Sequence, residues 1–361
     1  MHPRVERLPD PEPDYRRLLQ VVRRERPEHV PLIELAVAPE VVNILLDEPA
    51  PATGNAGEGL RMATERSVRM HHRLGYDVVK VSAPIPWDVQ RLDGEDGAAL
   101  SSGTRTWLDE HHGPIGSTDD LERFRWPTQN DVDFSPVDVA TDALPDGMAL
   151  IGFSGGVLEF AMDLIGMERL MLASVREPAL VNAVIDRVGQ TIYRVFEAYC
   201  QIESVCAIWL GDDLGHKHGP LVSPKLLKAQ VFPWYKRFAD LAHQHDRPFL
   251  LHTCGNTESI MPALVEQVGI DAKHSFEDGI QPVERFIDQW GEKIAVFGGV
   301  DVHLLSVGDD EAIRARTLEI LEYAAPRGGY AAGSGNSIPN YVPPEKYLTM
   351  IETVAEFNRR T

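Results

Sequence analysis

Cysteine is scarce in this chain: three residues in 361, at Cys200, Cys206 and Cys254. So few, and an odd number, argues against a disulfide-stapled scaffold and fits a reducing cytoplasm. Long apolar runs are missing as well. No stretch approaches the roughly 18 apolar residues of a membrane-spanning helix. The polar, proline-rich start MHPRVERLPDPEPDYRR lacks the apolar centre of a secretion signal. Positive charge is in deficit, with 35 Lys and Arg against 55 Asp and Glu, a formal net charge of −20. That balance repels nucleic acid and anionic membrane and favours work on small molecules. A glycine-rich phosphate fingerprint opening an early helix is also absent, which argues against a nucleotide-binding fold.

What is present centres on PFLLHTCGN at 248–256. Its apolar run reads as a strand buried on both faces, stopped by a Gly-Asn turn. Alternation along the strand puts His252 and Cys254 on one face. An imidazole beside a thiol suits zinc or an activated thiolate. The alternative is a small inert cysteine beside a hydrogen-bonded histidine.

Seven further apolar segments alternate with helical patterns: 30–37, 76–84, 148–156, 204–213, 270–278, 293–301 and 329–337. Eight short strands, each followed by a helix, predict one closed (β/α)8 TIM barrel, an α/β fold, over residues 13–361. Residues 1–12 read as a loose tail and 13–26 as an N-terminal helical extension. The loop 49–59 is rich in Pro and Gly. About sixty residues after the second strand form a long excursion, in which LSSGTRTWLDE reads as a hairpin. In such barrels chemistry gathers at the carboxyl ends of the strands. Candidate substrate contacts there are Glu34, Lys80, Ser82, Asp212, His274, Ser334 and Asn336. Candidate catalytic groups are Asp213, Glu277 and Cys254. Of the adjacent aspartates, one faces the mouth and one caps a turn; Asp213 is the functional choice. Glu34 needs a buried partner, and Lys80 on the next strand is the obvious one, either as a structural ion pair or beside a substrate contact. His111 and His112 in the excursion are candidates to close over the site.

The motifs HTCGN at 252–256, GGVD at 298–301, GSGNSIPNYVPPEKY at 333–347 and EHHGPI at 110–115 together resemble the uroporphyrinogen decarboxylase superfamily over about 14–358. The resemblance implies a barrel with its site at the strands' carboxyl ends. It admits the heme-pathway decarboxylase, and also methyltransferases that move a methyl group between a corrinoid and a thiol or folate. The decarboxylase equipment is missing. IELAVAPE stands where the family's arginine-rich RQAGRY lies, KVSAPIP where an aspartate ends the second strand, and GSGN where a histidine ends the last. The zinc-dependent methyltransferases use an HxC motif plus a cysteine near the last strand. His252 and Cys254 match the first two positions, and Ser334 stands at the third. The implied metal set is therefore His252 and Cys254 with a third ligand from Glu277, His274 or Asp213, Glu277 being the choice. Alternation puts Glu277 on the face opposite His274, so those two do not ligate together unless the strand ends by 276. The implied function is methyl transfer with zinc and a corrinoid carried by a separate partner protein, since no DxHxxG-type corrinoid signature occurs. The alternatives are a decarboxylase-type lyase and a non-catalytic ligand-binding barrel. By analogy with the superfamily, a homodimer is expected.

Overall fold

The structure is a computed structural model that describes residues 1–49, 56–101, 103–108 and 112–360. Seven strands form one parallel sheet: β1 (Val78–Ser82), β2 (Ala149–Gly155), β3 (Val205–Gly211), β4 (Phe249–His252), β5 (Ala272–His274), β6 (Ala295–Phe297) and β7 (Tyr330–Ala331). Each pairs with its neighbours in chain order, from β1 at one edge to β7 at the other. Parallel pairing requires a crossover between strands, and helices such as Pro178–Cys200 and Phe232–Gln244 supply it.

The first predicted strand, 30–37, is not a ladder strand. It meets the last strand's side of the sheet through isolated bridges, Leu32 with Ala332 and Val37 with Ile338. The ladder fails for a visible reason. Ile33 N–H donates to the Ala332 carbonyl and Ala332 N–H to that of Pro31, but the next donor, Ser334 N–H, is taken by the Glu34 side chain at 3.2 Å. Toward β1 the segment makes no backbone bonds among the described residues. The result is a curled seven-stranded sheet with a bridged eighth segment, rather than eight continuous strands in a closed ring.

Two apolar cores follow from strand alternation. The larger lies between sheet and helices. The smaller fills the concave side of the sheet with Val78, Ile151, Trp209, Leu250 and Phe297, spaced by Ala149, Ala207, Ala272, Ala295 and Ala331. Alanines leave room for the two large rings. Leu18 and Val21 of the helix Arg16–Val22 join this inner core. Tyr15 N–H donates to the Gly147 carbonyl just before β2, so the helix covers the amino-terminal end of the sheet and leaves the carboxyl end for chemistry.

Residues 1–12 carry a short 3-10 turn, Val5–Arg7, with Val5 buried. Arg4 donates to Glu352 at 2.8 and 2.6 Å. In the excursion, Arg91–Glu95 pairs antiparallel with Thr104–Leu108, so the hairpin starts earlier than its sequence signal. Glu110, His111 and most of the 49–59 loop lie outside the described residues. His112 is exposed. No helix among the described residues is long and apolar enough to cross a membrane.

Candidate metal and substrate site

The carboxyl ends of β3, β4 and β5 bring together residues far apart in sequence. Gly211 is in register with His252, and His252 with His274. His252 Nε2 lies 3.4 Å from Cys254 Sγ and 3.9 Å from Asp213 Oδ1. The ligand atoms of Asp213, His252 and Cys254 all fall within 4.8 Å of one another, and this is the one such group with metal-binding potential among the described residues. Tetrahedral zinc at its usual bond lengths separates sulfur, nitrogen and oxygen ligands by about 3.4–3.6 Å. The His–Cys edge already has that spacing, and the His–Asp edge needs a shift of a few tenths of an ångström. One thiol, one imidazole and one carboxylate also form a donor set zinc accepts, with a fourth position left for a ligand. These residues fit the metal.

A second histidine fixes the protonation of the first. His274 Nε2 donates to the Ser334 carbonyl at 3.2 Å, since a carbonyl can only accept. Burial pushes the His274 pKa down to about 3, so the ring is neutral and its Nδ1 is bare. His252 Nδ1 lies 2.7 Å from that atom and must therefore carry the proton. Burial, reinforced by His274, also holds His252 neutral. Its Nε2 lone pair then faces Cys254 and Asp213, the orientation a metal ligand needs. Trp209 packs edge-on below, its ring centre 5.4 Å from that of His274.

Cys254 carries its own support. Asn336 Nδ2 donates to the sulfur at 3.3 Å, and the Ser275 hydroxyl points at it from 3.7 Å. Both are donors suited to a thiolate. Without a cation the thiol stays protonated, because burial and the neighbouring Asp213 carboxylate push its pKa up to about 12. Asp213 Oδ1 in turn accepts the Cys254 backbone N–H at 3.2 Å. Cys254 opens on a cavity of about 330 Å³ that it shares with His216, Lys217 and Glu277. Asp213 also borders a second depression of about 450 Å³, with Glu159, Phe160 and Met167.

The two aspartates divide as the strand's alternation implies. Asp212 is fully buried and accepts from Leu158 N–H at 2.8 Å, Glu159 N–H at 2.9 Å and the Tyr235 hydroxyl at 2.5 Å. It caps the helix Val157–Ile165 rather than lining the mouth. Asp213 alone of the pair joins His252 and Cys254.

Several expected placements change. Glu277 does not converge with His252 and Cys254; it is exposed on the cavity wall, and Asp213 takes the third position. The strand ends at His274 because Ser275 adopts φ 100°, a region L-residues rarely occupy, and buried Lys273 holds the Ser275 carbonyl at 2.5 Å. Glu34 does not meet Lys80. Ile33 and Leu35 face the inner core, so Glu34 points outward, where Ser334 Oγ donates to it at 2.5 Å. Burial raises its pKa to about 8. Lys80 and Ser82 point inward from β1, and the Lys80 ammonium lies 4.2 Å from the centre of the Phe153 ring. Ser334 reaches Glu34 rather than Cys254, and Asn336 occupies the place beside the sulfur. Ser275, Lys273 and Tyr235 were not legible as site-supporting residues. Their roles depend on backbone strain and on neighbours from other elements.

The sequence profile of the family described as Uroporphyrinogen decarboxylase (URO-D) matches residues 13–357. The chain belongs to the uroporphyrinogen decarboxylase family. Among curated members of the URO-D family, the chain is 25% identical over 232 residues to the uroporphyrinogen decarboxylase of Nitrosospira multiformis, a match covering 60% of each protein. It is 24% identical over 262 residues to that of Bordetella petrii, covering 68% of this chain and 70% of the relative. The first match thus spans less than two thirds of the curated relative. Among solved structures, a methyltransferase from Methanosarcina mazei superposes with a TM-score of 0.73 at 17% identity, covering 94% of this chain and 98% of the other. That likeness concerns the fold. It runs through nearly the whole of both chains.

Proposed function

We propose that this URO-D family member is a methyltransferase that passes a methyl group between a small substrate, thiol or folate and a corrinoid carried by a separate protein. The observation that carries the reading is the convergence of Asp213, His252 and Cys254 with a bare imidazole nitrogen facing the other two. These three residues would hold zinc. When bound, zinc supplies a positive charge that keeps a thiol acceptor as its thiolate at neutral pH. Asn336 and Ser275 hold the Cys254 sulfur in place through their donated hydrogen bonds. Glu277, whose pKa is raised by partial desolvation at the cavity wall and by Asp301, stands where it can accept the proton a thiol sheds. The His274 ring and the Ser334 carbonyl keep His252 from rotating.

A decarboxylase-type lyase has the relatives' names in its favour, but its substrate chemistry is poorly served. A porphyrinogen with many carboxylates calls for planar bidentate donors. The two depressions beside Cys254 and Asp213 have Lys217 and His216 as their basic lining and no arginine.

The deciding experiment is metal analysis of protein purified without chelator, together with methyl transfer from a methylated corrinoid protein to a thiol. One zinc per chain is expected, lost in Asp213→Ala and Cys254→Ser along with transfer. Protein that binds no zinc, with transfer unchanged in Cys254→Ser, would sink the reading. Uroporphyrinogen turnover is expected to be nil.

A further inference from the structure

The gap between the 30–37 segment and β1 holds a cavity of about 410 Å³, walled by residues 35–37, the helices Pro39–Leu46, Ala56–Arg73 and Ser135–Ala143, and β1. Its lining is mainly apolar, with Leu35, Val42, Leu60, Val79 and Pro136 among the walls. Volume and lining are those of a pocket for a small organic molecule.

One cation in this lining has no counter-charge. Lys80 shares the cavity wall, yet its ammonium makes neither a hydrogen bond nor an ion pair among the described residues and rests only over the Phe153 ring. Four other cations held in the fold have partners. Arg17 has Asp77 at 2.9 Å, Arg316 has Asp278 at 2.8 Å, Arg66 in the same lining has Glu48 at 3.1 Å, and Lys273 has the Ser275 carbonyl. The chain holds 55 carboxylates, so there is no shortage of partners. Lys80 is half-buried, and its partial withdrawal from water with no anion beside it pulls its pKa down to about 8. His71, also in the lining, is neutral and supplies no charge.

We infer that this cavity binds the organic substrate, a small, largely apolar or aromatic molecule with a single carboxylate that meets the Lys80 ammonium. The inference names the substrate class for the methyl-transfer reading and rests on it. An apolar body fits the lining, and one carboxylate supplies the missing partner. A polyanion has only one unpaired cation to meet. A neutral ligand leaves Lys80 as it is.

The test is calorimetric titration of the full chain, without added metal, with 4-methoxybenzoate and with its uncharged counterpart 4-methoxybenzamide. The acid is expected to bind at least tenfold more tightly than the amide. Lys80→Met is expected to remove that preference and Lys80→Arg to keep most of it. Ala63→Trp, an exposed position on the cavity rim, is expected to weaken both ligands by filling the space, with folding checked by thermal melts. Equal binding of acid and amide, no binding of the acid, or an acid preference that survives Lys80→Met overturns the inference. Because the titration needs no zinc, its outcome is separate from that of the metal analysis: acid binding without zinc leaves this site and removes the metal reading, and the converse removes this site alone.

Discussion

Asn336 donates from Nδ2 to the Cys254 sulfur at 3.3 Å, while Ser334, two residues earlier, turns away to Glu34. The sequence spacing of the zinc methyltransferases points to Ser334 as the residue in the third cysteine's place. The geometry gives that place to Asn336. A cysteine at 336 is therefore expected to add a second sulfur to the metal group, and a cysteine at 334 is not. Cobalt(II) substitution reads the difference directly. Asn336→Cys should strengthen the sulfur-to-metal charge-transfer absorption and tighten metal binding, with Ser334→Cys near the parent. The reverse pattern would show that the last strand lies in another register.

His274 acts through His252. Removing it leaves the His252 Nδ1–H buried without an acceptor and frees the ring to turn. His274→Phe is expected to weaken zinc binding by about 10–100-fold, the usual cost of losing a ligand's outer partner. The check is a competition titration with a chromogenic chelator. Imidazole nitrogen NMR of the metal-free protein adds an independent readout: the parent should show His252 protonated at Nδ1, and the variant a mixture. An unchanged tautomer and unchanged affinity would remove His274 from the site.

The two adjacent aspartates should separate stability from metal binding. Asp212 caps a helix with two backbone N–H groups and holds the buried Tyr235 hydroxyl, so Asp212→Ala is expected to destabilise the fold by about 2–4 kcal/mol. Asp213→Ala should leave the melting temperature within a degree or two and lose zinc. Denaturant unfolding and metal analysis of both variants decide this. Similar effects from both would contradict the division.

Glu34 sets a pH dependence of stability. Its pKa is about 8 in the folded chain against a reference of 4.5, because burial disfavours the carboxylate. Between those values the native state holds a proton the unfolded chain has lost. Stability contributed by the neutral group is thus complete below about pH 4.5, declines as pH rises through the window and levels off above 8. Glu34→Gln stays neutral throughout. Relative to the parent it should gain on the order of a few kcal/mol between pH 5 and 9. A parent-to-variant difference that does not change with pH would contradict the buried, protonated state.

Local pattern carried a good deal of this molecule. Period-two alternation placed His252 and Cys254 on one face, and the apolar runs located all seven ladder strands. The resemblance carried by HTCGN, GGVD and GSGN agrees with a family profile that spans 13–357. The misreadings concern pairing. Residues 30–37 have a strand's composition, yet the Glu34 carboxylate takes a backbone donor that the ladder needed. Glu34 and Lys80 were matched by charge and by neighbouring segments, but they face opposite sides of the wall. Alternation sets Glu277 opposite His274 on the strand, but Ser275 turns the chain first and leaves Glu277 beyond the strand's end.

By itself the sequence determined the α/β class, the end of the sheet where polar residues gather and the two metal-type side chains that share a face, because each follows from spacing within a single segment. Only the tertiary structure decided that Asp213 completes the group, that His274 orients His252, that Asn336 touches the sulfur and that Lys80 is left without an anion. Those relations join residues from different strands, and they depend on inter-strand register and on the direction each side chain takes from its own backbone. No local pattern encodes either.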